Sequence, residues 1–163
     1  CVDYFEYMKY QSGQNYSLRG RTAESVQRAI HQWHDRVFLM DHSENFHLSW
    51  DGIEDFDLSF SFQGNDYRCI QLKSGKELDQ EGKSLKHCVI TYAPSCSNDF
   101  CSIWSLRQKI GGNFTRVLTL EVINNVIVQA RGKQNLLPSN EQMKVIRNWS
   151  ERMEFKLRLH KNE

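Results

Sequence analysis

Residues 101–131 read CSIWSLRQKIGGNFTRVLTLEVINNVIVQAR, and they carry the clearest secondary-structure pattern of the sequence. Apolar and polar side chains alternate along three segments of it, which is the pattern that half-buried β-strands produce. The segments are separated by Gly111-Gly112-Asn113 and by Asn124-Asn125, both of which are typical turn sequences. They comprise residues 101–108, 115–123 and 126–131. We therefore predict a three-stranded antiparallel meander.

Because successive side chains of a strand point to opposite faces, the alternation gives this meander an apolar and a polar face. The apolar face consists of Trp104, Leu106, Leu118, Leu120, Val122, Val128 and Ala130. The polar face consists of Ser105, Arg107, Thr119, Glu121, Gln129 and Arg131. If Glu121 lies opposite Gln129, the hairpin between them needs an additional residue, such as a three-residue turn with a bulge.

Two features of the polar face favour a ligand over the simple solvation that any one-sided sheet shows. Glu121 would lie on the central strand between arginines, and the last strand leads into a polar turn at residues 132–135. Charge is also divided unevenly, because residues 1–100 carry 10 Lys+Arg and 15 Asp+Glu, whereas residues 101–163 carry 11 and 5. A solvated helix face can explain such an excess, but it also suits RNA or DNA as a partner.

The rest of the sequence predicts a β-hairpin and several helices. Alternation over residues 56–62 and 67–72, on either side of Gly64-Asn65, predicts the hairpin. Helical spacing of apolar residues predicts helices after Thr22, over residues 74–93 with a break at Gly82 and a stop at Pro94, and after Ser139. The apolar stripes are Val26, Ile30, Trp33, Val37 and Met40; Leu85, Cys88, Val89 and Tyr92; and Met143, Ile146, Trp149, Met153 and Leu157.

Ser139 and Gln142 fit a capping box at the start of the last helix. The predicted fold class is α+β, with an antiparallel sheet, made of a hairpin plus a three-stranded meander, packed by several helices. With 163 residues and 39% hydrophobic content, the chain suits one domain over residues 1–163. Because the sequence begins with Cys1 rather than Met, we interpret the chain as a candidate fragment of a longer protein. We expect that a further domain or a partner chain accompanies it.

No apolar run reaches the roughly 18 residues of a membrane span, and no signal-peptide pattern is present, so we expect no membrane association. The five cysteines lack CxxC spacing, which favours reduced thiols and a cytoplasmic location over a disulfide framework. A zinc site made of His87, Cys88, Cys96 and Cys101 would have spacings unlike those of standard zinc modules, so no metal is predicted. The oligomeric state is not readable from the sequence.

Several motifs resemble those of the PcfJ-like family of conjugative plasmids, phages and bacterial genomes. Residues 81–89, EGKSLKHCV, followed by Tyr92, are similar to that family's Gly-to-HCV segment, although Ile90 stands where a glycine is expected. Residues 119–121, TLE, resemble its strand motif, and residues 33–35, WHD, its upstream helix. The residues that resemble its QxxGxxN…P…W tail are Gln129, Gly132, Asn135, Pro138 and Trp149.

This resemblance implies a mobile-element or host-defence setting rather than a particular reaction. The residues to which it draws attention are His87, Tyr92, Ser105, Arg107, Glu121, Gln129 and Asn135.

The first functional hypothesis is a metal-independent endoribonuclease without a cofactor. Cleavage through the ribose 2′-hydroxyl needs a base, an acid and a cation that stabilises the phosphorane. Glu121 is the predicted base, and either His87 or His34 is the acid. Arg107 or Arg131 would hold the phosphate. The predicted substrate-binding residues are Ser105, Tyr92, Thr119, Gln129, Arg131, Lys133 and Asn135.

The second hypothesis is a module that binds a nucleic acid or a protein without chemistry. The same arginines and Lys133 would then grip a phosphate backbone together with basic residues of the last helix. Those residues are Lys144, Arg147 and Arg152. In this interpretation Glu121 would pair with Arg107 for structural reasons.

Two further alternatives use residues near position 87. The order His87, Tyr92, Glu121 is that of some ADP-ribosyltransferases, but the first two residues would share one predicted helix. A Cys88 nucleophile activated by His87 is disfavoured, because adjacent residues on a helix point apart by about 100°. Buried cysteine is the simpler interpretation of Cys88.

Overall fold

The computed structural model describes residues 8, 17, 19–39, 42–53 and 57–159, without the side chains of residues 31, 34–39 and 57. Contacts divide the chain into two compact units, Cys1–Asp41 and His42–Glu163. The prediction of one domain over residues 1–163 therefore stays a prediction.

The described part of the first unit is dominated by helix α1, Ala23–Leu39. Thr22 precedes it, and the Ser25 backbone N–H donates to Thr22 Oγ1 over 3.2 Å, which confirms Thr22 as the predicted cap. His34 lies on α1, but its side chain is outside the described residues. Of the predicted apolar stripe, the side chain of Val37 and the whole of Met40 also lie outside the described residues.

The second unit contains a six-stranded sheet with the strand order β1-β2-β3-β4-β5-β6. Neighbouring strands are antiparallel, except that β6 pairs with β5 in parallel. The strands are β1 Asp57–Phe62, β2 Asn65–Leu72, β3 Ser102–Ile110, β4 Asn113–Ile123, β5 Val126–Arg131 and β6 Lys156–Leu157. The helices are α2 Ser43–Phe46, α3 Gly75–Leu85, α4 Ala93–Ser97 and α5 Asn140–Arg152, with 3₁₀ turns at Val89–Tyr92 and Lys133–Asn135. The predicted α+β class is confirmed.

One face of the sheet packs against α5 around two tryptophans. Trp104 of β3 and Trp149 of α5 are fully buried, with ring centroids 5.3 Å apart. The predicted capping box holds the start of α5, because Ser139 Oγ accepts from the Gln142 backbone N–H and Gln142 Oε1 accepts from the Ser139 N–H. The buried core of this face comprises Phe60, Tyr67, Cys69, Trp104, Leu106, Leu118, Leu120, Val122, Ile127, Ala130, Val145, Ile146 and Trp149.

Two β-bulges change the faces that strict alternation predicts. Leu106 pairs with Leu118 but Arg107 pairs with Arg116, so Val117 is the extra residue of β4. Glu121 pairs with Gln129 but Val122 pairs with Ile127, so Val128 is the extra residue of β5.

These bulges correct one prediction and refine another. Ile127, not Val128, is fully buried in the apolar face. Glu121 does lie opposite Gln129. The bulge supplies the extra residue, while the turn itself has two residues, Asn124 and Asn125, both at positive φ.

The opposite face is covered by α3, the 3₁₀ turn Val89–Tyr92 and α4. The helix predicted over residues 74–93, with a break at Gly82 and a stop at Pro94, is wrong in both of these respects. α3 runs through Gly82 to Leu85, and the capping residue Lys86 has a left-handed backbone with φ 56°. Pro94 lies in the first turn of α4 instead of stopping a helix, because its fixed φ suits that position.

Gly82 permits a close return of the chain after α3. A Cβ at this position would lie 2.6 Å from the His87 carbonyl oxygen. The His87 backbone N–H donates to the Gly82 carbonyl over 3.1 Å. His87 therefore lies in the turn after α3, and Tyr92 lies at the end of a 3₁₀ turn. The helix that these residues were predicted to share is absent. That helix was the reason for disfavouring an ADP-ribosyltransferase and a Cys88 nucleophile.

Candidate functional site

The face of the sheet beneath α3 carries three cross-strand rows of side chains. The register pairs residues directly across neighbouring strands, so each row runs perpendicular to them. The first row, called the arginine row, is Arg68, Arg107 and Arg116. The middle row is Ile70, Ser105, Thr119 and Arg131. The third row, called the glutamate row, is Leu72, Ile103, Glu121 and Gln129.

The arginine row places three cations side by side on β2, β3 and β4. Arg107 pairs with Arg68 on one side and with Arg116 on the other. Like charges in directly opposed positions destabilise a sheet. Arg116 reaches this face because of the bulge at Val117, since strict alternation from Leu118 would place it on the apolar side. The sequence analysis did not include it in the polar face.

Glu81 of α3 is the main counter-charge of the arginine row. Its side chain is 0% exposed. Glu81 Oε2 accepts from Arg116 Nε over 2.9 Å, and Oε1 accepts from Thr119 Oγ1 over 2.9 Å. Burial raises the pKa of Glu81, although hydrogen bonds from Ser105 and Thr119 and the charges of Arg116 and Arg107 oppose this shift. The carboxyl group of Glu81 is therefore held between α3 and the sheet instead of facing solvent.

Arg107 lies at the centre of the row and is half-buried. Its Nε donates to Ser105 Oγ over 3.2 Å. Burial lowers the pKa of Arg107, and the neighbouring charge of Arg116 lowers it further, whereas Glu81 and Glu77 act in the opposite direction. The carboxylates of Glu81 and Glu77 thus stabilise the charged form of Arg107, the central one of three guanidinium cations.

Arg68 completes the row at β2. Its guanidinium carbon lies 5.8 Å from the centroid of the Phe114 ring, within cation–π distance.

His87 belongs to the same buried network. It is 5% exposed, and its Nε2 lies 2.9 Å from Thr119 Oγ1. Because the Thr119 hydroxyl donates to Glu81, His87 Nε2 carries a proton and donates to Thr119. The arrangement gives His87 a positioning role for Thr119 and Glu81, and its predicted role as an acid stays a prediction.

A second group of polar side chains lies in the glutamate row. Gln129 Nε2 donates to Tyr92 Oη over 3.0 Å, and Tyr92 Oη donates to Glu121 Oε2 over 3.4 Å. Gln129 Nε2 also lies 3.5 Å from Glu121 Oε2. All three residues are half-buried, and the sequence predicted all three as site residues.

The remaining predicted site residues lie around these two groups. Arg131 is half-buried in the middle row, and its Nη1 donates to its neighbour's carbonyl, Ala130 O, over 3.1 Å. Lys133 is exposed and Asn135 is half-buried in the 3₁₀ turn after β5, which contacts α3. His34 lies on α1 in the other compact unit.

Sequence reasoning missed Glu81 as a site residue, although a signal for it existed. Glu81 lies on the same helical stripe as Leu78 and Leu85, where a carboxylate is expected only if it is paired.

Within the described ranges, no group of three or more His, Cys, Asp or Glu side chains could hold a metal ion. The zinc alternative built on His87, Cys88, Cys96 and Cys101 therefore has no ligand cluster in that part of the chain. Among the helices that the structure describes, none has the length and apolar character to cross a membrane.

Comparison with known proteins gives one family assignment. No curated protein and no solved structure matches the chain significantly. The family model described as PcfJ-like protein matches residues 6–146, which is most of the 163-residue sequence and includes both the arginine row and the glutamate row. The chain therefore belongs to the PcfJ-like family, as its motifs predicted.

Proposed function

We propose that this domain binds the phosphate backbone of a nucleic acid at the arginine row. The observation that carries the proposal is the direct alignment of Arg68, Arg107 and Arg116 across three adjacent strands. Such an arrangement is unfavourable by itself and becomes favourable when an anion lies over it. Neighbouring strands are about 4.8 Å apart, so the row spans about 10 Å, a suitable length for backbone phosphates.

The guanidinium groups of Arg107 and Arg116 have donors to offer a phosphate. Each carries five N–H donors, and the hydrogen bonds that Arg107 and Arg116 make to Ser105 and Glu81 use the Nε. Arg116 keeps 27% of its side chain exposed. Glu81 and Ser105 hold these two Nε groups, so the forks are oriented before a ligand arrives.

The basic residues of α5 do not extend this surface. α5 packs on the other face of the sheet, where the Arg152 guanidinium carbon lies 5.3 Å from the Phe60 ring centroid. The binding surface proposed for a nucleic acid is therefore the arginine row with Arg131 and Lys133, and it excludes Lys144, Arg147 and Arg152.

Backbone binding is tested by fluorescence anisotropy with labelled single-stranded RNA, single-stranded DNA and duplex RNA over a range of salt concentrations. Arg107→Ala should weaken binding and reduce the slope of log Kd against log salt by about 1. Arg152→Ala is the matched control, since it removes an arginine from the other face, and it should leave both quantities unchanged. Equal effects of the two substitutions, or no binding by the intact chain, would refute the proposal.

Cleavage of RNA is a second candidate function, and the Tyr92–Glu121–Gln129 group favours it. A carboxylate fixed by a phenol and an amide can serve as a base for the ribose 2′-hydroxyl. Glu121 lies two positions beyond Thr119 along β4, about 7 Å further from the arginine row. Arg131 of the middle row, opposite Thr119, is therefore better placed than Arg107 to hold the reacting phosphate.

Cleavage is measured with the same RNAs in EDTA, where a metal-independent enzyme stays active. Glu121→Gln should abolish turnover but retain binding, and Arg131→Ala should lower it by about 10²–10³-fold. Glu141→Gln, on α5, removes an exposed carboxylate and is the control. Binding without turnover in the intact chain would leave the binding function and exclude this reaction.

A further inference from the structure

Two cysteines lie side by side at a cavity near α4. The Sγ atoms of Cys96 and Cys101 are 3.7 Å apart. Cys96 belongs to α4 and is 1% exposed, whereas Cys101 directly precedes β3 and is half-buried. Both line a cavity of about 150 Å³, together with Trp50, Gln71 and Phe100. Of the two cysteines, Cys101 is therefore the more accessible to a small reagent.

The turn between the two cysteines keeps their sulfurs together. The Asn98 backbone N–H donates to the Pro94 carbonyl over 3.2 Å, and the Phe100 N–H donates to the Ser95 carbonyl over 2.9 Å. Asp99, between them, has a left-handed backbone with φ 58°. A disulfide would bring the sulfurs from 3.7 Å to about 2.05 Å. The movement required is small compared with the freedom of two cysteine side chains.

The two thiols have different proton affinities. The hydrogen bond from Cys96 lowers the pKa of Cys101, while that same contact and then burial raise the pKa of Cys96. Since the thiolate is the nucleophilic form, Cys101 is the more reactive partner. Cys69, by contrast, is fully buried in the apolar face, and burial raises its pKa.

We propose that Cys96 and Cys101 form an oxidisable dithiol, in which Cys101 attacks a hydroperoxide and Cys96 resolves the product. The Cys101 thiolate forms an S–O bond with the distal peroxide oxygen, the O–O bond breaks, and the alcohol or water that leaves takes up a proton. Cys96 then gives up its proton and attacks the Cys101 sulfur. An S–S bond forms, the S–O bond breaks and water leaves, so that two thiols lose two electrons and one peroxide gains them.

The test uses the full chain, reduced and freed of reductant, with hydrogen peroxide as the probe. Free thiols are alkylated at timed intervals and the cysteine peptides are mapped by mass spectrometry. We expect a disulfide linking Cys96 and Cys101, reversed by dithiothreitol, to form several-fold faster than any oxidation of Cys88. Cys88 is also half-buried and serves as the internal control.

Variants then separate the two roles. Cys96→Ala should stop at a sulfenic acid on Cys101 that dimedone traps, and Cys101→Ser should leave Cys96 reduced under the same conditions. Because Cys96 is buried, thermal unfolding of Cys96→Ala and Cys96→Ser is measured first, and the mapping of the unsubstituted chain needs neither variant. Oxidation of Cys88 at the same rate as Cys101, or a lasting Cys101 sulfenic acid in the unsubstituted chain, would overturn the proposal.

Discussion

On one face of the sheet, Trp104 and Trp149 are fully buried against each other, and on the other face a glutamate is buried just as completely. The apolar face is stabilised by contact area, which is not directional. The face beneath α3 has an apolar cluster of its own, which includes Leu72, Leu78 and Ile103. Around Glu81, however, it depends on directed bonds from Arg116 and Thr119, and it also places cations next to one another. Burying such groups adds little net stability, and this difference between the faces is the reason for proposing a ligand at the second one.

The largest expected effect comes from removing the centre of the apolar face. Trp149→Ala should lower the free energy of unfolding by about 3–5 kcal/mol, because a large side chain is lost and a cavity remains. Urea unfolding followed by circular dichroism measures this change. Leu136→Ala, at a position 65% exposed, is the control and should have almost no effect. A small loss for Trp149→Ala would mean that the two faces are not stabilised differently.

A smaller loss is expected from Glu81→Gln, which keeps the shape of the side chain and removes its charge. Glutamine has one acceptor oxygen where Glu81 has two, so the bond from Arg116 or the bond from Thr119 is lost, and we expect a loss of about 1–3 kcal/mol at neutral pH in the same unfolding measurement. Asp79→Asn, on the same helix and paired with exposed Lys83, is the control and should cost less than about 1 kcal/mol. Equal losses would show that the Glu81 bonds are no stronger than surface ones.

The pH dependence of stability follows from the raised pKa of Glu81. A carboxyl group whose pKa is raised by burial binds its proton more tightly in the folded state, so unfolding releases that proton. Its contribution is therefore complete below the ordinary pKa of 4.5 and falls as pH rises through the raised value. Unfolding free energies measured from pH 4 upwards should show this decline in the unsubstituted chain and not in Glu81→Gln. Parallel profiles would contradict it.

The smallest effect on stability is expected at the arginine row. Arg107→Met loses the bond to Ser105 but relieves the repulsion between opposed arginines, so the net change should stay below about 1 kcal/mol. Nucleic-acid binding should fall strongly in the same variant. Anisotropy and urea unfolding on one preparation provide both values, and Arg152→Met is the control. A large loss of stability with unchanged binding would make the row structural.

Much of the sheet was predictable because its signals are local. Alternation located β3, β4 and β5, and the asparagine and glycine pairs located their turns. The capping box of Ser139 and Gln142 was predictable for the same reason, since both partners lie within one helical turn. Glu121 and Gln129 of the glutamate row were likewise predictable as residues of the polar face, and Tyr92 contacts both of them.

The arginine row was not predictable because it depends on tertiary pairing. The bulge at Val117 is created by the partner strand, and alternation alone assigns Arg116 to the apolar face. Glu81 becomes a site residue only when α3 packs over Thr119. The predicted helix over residues 74–93 failed because helical spacing continues past Lys86, while the backbone there turns left-handed.

Because of the bulge at Val117, the side chains of β4 alternate between the two faces in one phase before this residue and in the opposite phase after it. Residues 113–116 and residues 118–123 follow opposite parity, and a single unpaired valine separates the two phases. Deleting that one residue would make Arg116 the direct neighbour of Leu118, so regular alternation would keep Arg116 on the face opposite Leu118, across from Arg107. Val117 thus acts as a spacer: while it is present, only the local bulge keeps the even-numbered side chains before it on the face of Arg107 instead of the tryptophan side.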